Sequence, residues 1–194
     1  MGVPQGLSGV ATTRPYYTST YVFVSMRDRA LHLGSFDDSS LVGPKIGLHA
    51  LGASGANTPP AHALARRGMT ANVAGYSMWG DGTRANPQAD ILAAVAAGEI
   101  DTAIVWGPIG GYFARPSADR LELSPVAAAS SPSEVPFAYA ISVGVRDGND
   151  VLRIELEQAL DRQGPAIRAI LDEFGIPLVP TVRANDSHAS VETR

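Results

Sequence analysis

Four histidines, His32, His49, His62 and His188, are the residues of this chain best suited to proton transfer or metal binding. Their spacing supports neither. No two stand four apart on a predicted helix, and no acidic residue flanks a pair, as a helical zinc site requires. His62 falls in a predicted helix and reads as a surface or packed residue. Ser54, in GASGA, follows a predicted strand and precedes a helix, where a nucleophile elbow would put its serine. That turn needs glycine where Ala56 stands, and an acyl-transfer site would also need a histidine late in the chain. The only late one is His188, in a polar tail. Asp81 and Asp90 are a candidate carboxylate pair, but Asp90 sits in a predicted first helical turn, where the helix dipole alone accounts for an acid. Arg66 and Arg67, near a helix C-terminus, have the same explanation with the sign reversed. The chain has no cysteine, which removes disulfides, zinc–thiolate centres and thiol nucleophiles.

Two stretches have residue types suited to binding. GLHALGASGAN (47–57) is glycine-rich between a strand and a helix, yet it lacks the Gly-Lys-Ser/Thr of a nucleotide P-loop and the dinucleotide glycine spacing. Backbone N–H groups from Ala56 to Ala61 would suit an anion or polar ligand group at the helix start. The alternative is a loop that caps its own helix, favoured by Pro59 and Pro60, which remove two donors. The second stretch is GEIDTAIVWGPIGGYFA (98–114). An apolar run ends at Trp106, and Gly107-Pro108 then opens a helix. Ligands of open α/β sheets bind beyond the carboxyl ends of strands. Trp106 therefore fills a cleft, stacks on a ligand, meets a partner, or is simply packed.

Composition narrows the classes. The 194 residues are 45% hydrophobic and 18% charged, with net charge −4, enough for a packed core but without the basic excess that nucleic acid demands. No apolar run reaches the ~18–20 residues of a membrane span, and MGVPQGLSGV lacks the basic and apolar regions of a signal peptide.

The elements that must position these residues follow from pattern. Strands are predicted at 20–26, 45–51, 72–78, 101–106 and 135–145. A helix is predicted from Thr58, as cap, through Pro59 and Pro60 to a stop at Gly68. A second runs from Asn86-Pro87 to Ala97, with Gly98 as its stop, and a short one covers 108–114. Strand–helix alternation implies an α/β fold with parallel strands at 45–50, 72–77 and 102–106. A helix from about Asp150 is expected to be interrupted at Gly164-Pro165. A last helix then ends at Gly175, with Ile176 placed for the accompanying apolar contact. AAASSPS (127–133) reads as a linker.

Three stretches, TTRPYYTSTYVFV (12–24), GANTPPAHALARRG (55–68) and ILAAVAAGEIDTAIVWGPIGGYFA (91–114), resemble the periplasmic solute-binding proteins of the polar amino acid transporter class. The resemblance is to the branch associated with quinoprotein methanol dehydrogenases, and it covers residues 1 to about 180. It implies the type II periplasmic binding fold, with one complete lobe carrying a parallel-rich sheet and a partial second lobe. The expected division is 1–19 as a remnant of lobe 1 and first hinge, 20–136 as lobe 2, 137–180 as the return to lobe 1, and 181–194 as a disordered tail. Crossings between lobes are expected near Tyr17–Tyr21 and Pro136–Ala140, with further sequence, including an export signal, upstream of this chain.

In amino-acid-binding relatives, the resemblance implies, an aspartate at the position of Trp106 holds the ligand's ammonium. An arginine that falls here on Gly6 holds its carboxylate. Both anchors are absent. The expected ligand or partner cleft comprises Trp106, Ser54, Asn57, Thr58, Tyr17 and Tyr21, without catalytic residue, metal or cofactor. The expected function is that of a noncatalytic periplasmic accessory protein of a PQQ-dependent methanol or alcohol dehydrogenase system. Its partner would be the quinoprotein dehydrogenase or a small polar ligand, not nucleic acid, and the protein would not be membrane-embedded. The alternatives are the substrate-binding component of an ABC importer for a small polar solute and a small-molecule enzyme on an α/β scaffold.

Overall fold

The computed structural model describes residues 2–4, 7–50, 58–80, 82, 85–127 and 135–180. Its elements, in chain order, are β1 (Gly2–Pro4), β2 (Ala11–Thr12), β3 (Tyr17–Met26), β4 (Ile46–Ala50), α1 (Pro59–Arg66), β5 (Val73–Ser77), α2 (Asp90–Ala97), β6 (Thr102–Trp106), α3 (Gly107–Ala114), β7 (Leu121–Pro125), β8 (Ala138–Val145) and α4 (Asp150–Glu173).

The strands run in the order β1-β8-β3-β6-β4-β5, with β2 added on β8 and β7 on β3. β4 is parallel to both β5 and β6, as the alternation predicted, with α1 and α2 in the two connections. The rest is antiparallel, so the sheet is mixed. β3 organises it. Its first part, Tyr17–Thr20, pairs with β8. Its second part pairs with β6 on one side and β7 on the other. That second part reads Tyr-Val-Phe-Val-Ser, a run without polar alternation, as a strand buried on both faces must. Val22 and Val24 face α2 among Ile91, Val95, Ile100 and Val105. Phe23 faces the other way, among Phe36, Leu41, Ile46, Leu64 and Phe137.

Helix ends follow local chemistry. Gly68, Gly98 and Gly175 take φ of 71°, 72° and 67°, the left-handed region that glycine enters without penalty. Each helix closes with a pair of backbone bonds, such as Gly98 N–H to Val95 and Glu99 N–H to Ala94, the Schellman pattern.

Two local expectations need correction. α4 is not interrupted at Gly164-Pro165 but runs unbroken through Pro165 for 24 residues. An interior proline costs about 3 kcal/mol, because the carbonyl four residues back loses its donor and is crowded by the ring. Here that carbonyl belongs to exposed Asp161, where water can take the bond. The helix is also well terminated, by the Asn149 side chain accepting from Leu152 N–H and by Gly175. Thr58 is extended at the N-cap of α1, but its hydroxyl makes no capping bond. Pro59 and Pro60 occupy the first two positions and present no N–H groups. The sequence reading did not include β2 or β7. β2 is very short, whereas β7 (LELSP) carries a period-2 signal in Leu121 and Leu123. The expected linker at 127–133, apart from Ala127, and the expected tail at 181–194 lie outside the described residues.

Candidate functional site

The carboxyl end of β6 is where the sequence reading placed its candidate cleft. Trp106 is directly opposite Tyr21 of β3 in the antiparallel register. Gly107 then begins α3. A Cβ on Gly107 would run into the Thr20 carbonyl and the Ser19 hydroxyl, so only glycine lets the helix start against β3. The turn holds the indole at the sheet's end. Its ring centroid lies 5.4 Å from Tyr21 and 5.8 Å from Tyr139 of β8, both edge-to-face.

These three rings line a cavity of about 370 Å³, within the roughly 300–1,000 Å³ range of small-ligand sites. Ile104 shares the Trp106 face of β6, two residues back, and Ile141 shares that of Tyr139 on β8. Pro4 of β1, Met78 just after β5, Ile109 of α3, His49 of β4 and Thr58 complete the described lining. The walls thus come from both parts of the sheet, with β3 between them.

The lining carries no Asp, Glu, Lys or Arg among the described residues. Burial, reinforced by the nearby Tyr139 hydroxyl, pushes the Tyr21 phenol up to about 12. Burial raises Tyr139 as well. His49 is buried and its pKa is lowered by desolvation, an effect partly offset by its ring Nε2, 3.3 Å from the Gln88 carbonyl. The cavity wall is therefore electrically neutral near pH 7: tyrosines stay protonated and the imidazole stays uncharged. It offers aromatic faces, aliphatic side chains, hydroxyls and an indole N–H. Among its described lining residues there is no nucleophile paired with a base. No group of three or more His, Asp or Glu side chains suited to a metal occurs among the described residues.

Of the residues named from sequence, Trp106, Tyr21 and Thr58 meet at this cavity. Tyr17 does not line it. It lies four residues earlier on β3, with its ring 5.0 Å from that of Tyr16. Ser54 and Asn57 lie outside the described residues, in the stretch between His49 and Thr58. Gly6, Asp81 and His188 are likewise outside them. Tyr139, His49, Met78, Ile104, Ile109, Ile141 and Pro4 were not anticipated. Tyr139 had a signal, since it falls in the 136–140 stretch that the resemblance marked as a crossing. His49 had one too, at a strand end beside the glycine-rich loop.

No protein-family model matches the chain. Protein MoxJ of Paracoccus denitrificans is 31% identical, over 93% of this chain and 67% of its own length. Protein MoxJ of Methylorubrum extorquens is 30% identical, over 88% of this chain, which spans 59% of that relative. Among solved structures, the periplasmic binding protein XoxJ from Methylobacterium extorquens AM1 superposes with a TM-score of 0.73. It is 27% identical, over 89% of this chain and 74% of XoxJ.

Proposed function

The chain belongs to the MoxJ family, with the α/β fold of periplasmic binding proteins, and on that premise we propose that it is a noncatalytic periplasmic accessory protein of a PQQ-dependent methanol or alcohol dehydrogenase system. One observation carries the reading beyond family membership. The cavity at the end of β6 is lined by Trp106, which by the resemblance takes the place of an amino-acid binder's ammonium-holding aspartate, and has no charged side chain among its described lining residues. A zwitterion entering it would leave both charges unpaired in a low-dielectric site, which costs several kcal/mol. Import of free amino acids is thus a poor fit, and association with the dehydrogenase is the better one. The periplasmic setting is supported by the relation to XoxJ.

The test is co-purification. Affinity-tagged protein, expressed in a methylotrophic host, should recover the quinoprotein dehydrogenase above the level of an unrelated periplasmic bait. Recovery no better than that bait overturns the accessory reading. A second reading, the solute-binding component of an importer, is favoured by the cavity's small-ligand volume. A thermal-shift screen of small polar solutes tests it, and a specific rise in melting temperature with one of them would favour it.

A further inference from the structure

We propose that the cavity is a binding site for a compact, uncharged molecule with an aromatic or aliphatic body and a hydrogen-bond-accepting oxygen, such as an aryl carbonyl compound. The inference deepens the reading of the β6 end as the functional cleft and rests on it.

The lining is complementary to such a molecule. The described walls are three aromatic rings, Tyr21, Trp106 and Tyr139, with Ile104, Ile109, Ile141, Met78 and Pro4. Such walls reward burial of apolar surface and ring–ring contact. An anion would meet no described cation there. An organic cation would meet ring faces but no carboxylate.

The lining also leaves polar groups over. Thr58 is 6% exposed and lines the cavity, and its hydroxyl is not spent on capping α1. The Tyr21 and Tyr139 hydroxyls and the Trp106 indole N–H also have no hydrogen-bond partner among the described residues. All four are donors, and the indole can only donate. A ligand that displaces water from such donors without replacing its hydrogen bonds loses affinity. A carbonyl oxygen accepts two such bonds and brings no charge to be desolvated. An apolar molecule without oxygen would leave the donors unanswered.

The site contains its own reporter. The chain has two tryptophans, Trp106 in the cavity and Trp79, which is 73% exposed. In a Trp79→Phe background, emission therefore reads Trp106 alone. The full chain carrying that change is titrated with benzaldehyde, toluene, tetramethylammonium chloride and L-glutamate. Benzaldehyde should give a saturable emission change. Toluene should bind more weakly, and the two charged probes should give none. Thr58→Val, which keeps the side-chain shape, should weaken benzaldehyde about fivefold, the worth of one hydrogen bond. Thr58→Ser should restore most of it.

Benzaldehyde without saturation overturns the inference, as does tetramethylammonium or glutamate binding at least as tightly. Equal affinity of benzaldehyde and toluene overturns the assignment of the donors. Circular dichroism of each variant establishes that it is folded before titration. The two readings are separately falsifiable: failed dehydrogenase recovery with intact probe binding removes the accessory role, and the converse removes the ligand class.

Discussion

From Tyr21 to Met26, β3 runs between two apolar clusters; from Tyr17 to Thr20 the same strand is lined with hydroxyls. The later part is held by volume. Val22, Phe23 and Val24 are at most 1% exposed, the two valines in one packed layer and Phe23 in the other. The earlier part is also buried at Thr18, Ser19 and Thr20 but is held by specific bonds. Ser19 Oγ donates to the Pro177 carbonyl at 2.6 Å, and Thr20 Oγ donates to the Phe137 carbonyl at 3.2 Å. Val179 N–H donates to the Thr18 carbonyl. The closest backbone approaches belong to this side too: a Cβ on Gly111 would run into the Gly175 carbonyl. One strand thus passes from a packed core to a hydrogen-bonded junction at Tyr21, where the cavity opens.

The comparison breaks most directly at Phe23. Phe23→Ala should cost about 3–5 kcal/mol, the range for emptying an aromatic core position, and should lower the thermal midpoint of the whole molecule. Ser19→Ala should cost less, about 1–3 kcal/mol, because it leaves the Pro177 carbonyl without its donor but opens little volume. Its distinctive signature is local. Amide exchange at Val179 should quicken while exchange at Val22 and Val24 stays slow. If both substitutions accelerate exchange equally throughout, the two parts of β3 are one cooperative unit and the contrast fails.

The core side of this contrast was far more legible in the sequence. Apolar runs and glycine stops placed α1, α2 and the three parallel strands, because those signals are local: a left-handed glycine, a proline in a first turn, a strand of β-branched residues. The unbroken α4 was not legible, since whether Pro165 breaks a helix depends on whether the orphaned carbonyl can reach water. The cavity was legible in part. Trp106, Tyr21 and Thr58 could be named, whereas Pro4, Met78, Ile109 and Ile141 arrive from elements far apart in the chain. Their own side chains carry nothing but apolar character, which suits a core equally well.

Trp106 sits on the boundary between the two regimes and sharpens the comparison next. Trp106→Asp should lose two edge-to-face ring contacts, worth roughly 0.5–1.5 kcal/mol each. The new carboxylate would lie at a cavity wall and not inside either apolar cluster, so the molecule should stay folded while ligand or partner binding weakens. Circular dichroism melts decide this. A collapsed transition would mean that Trp106 is a packing residue like Phe23 and that the junction begins earlier on the strand.

The smallest effect concerns His49, which couples the packed side to the cavity through pH. Burial holds its pKa below the ordinary 6.5, so in the folded protein the ring stays neutral at pH values where the unfolded chain already binds a proton. The unfolded state then carries more protons, and stability rises with pH across that interval. The His49 contribution is therefore fully present above about 6.5, is lost as pH falls below it, and stops changing once the folded ring protonates too. His49→Leu keeps the apolar bulk and removes the titration, at the cost of the bond to the Gln88 carbonyl. Denaturant melts at pH 7.5 and pH 5.5 should show wild type losing more stability on acidification than His49→Leu. Equal losses would mean that water reaches the ring freely, and that His49 belongs to the wet rim of the cavity instead of its packed wall.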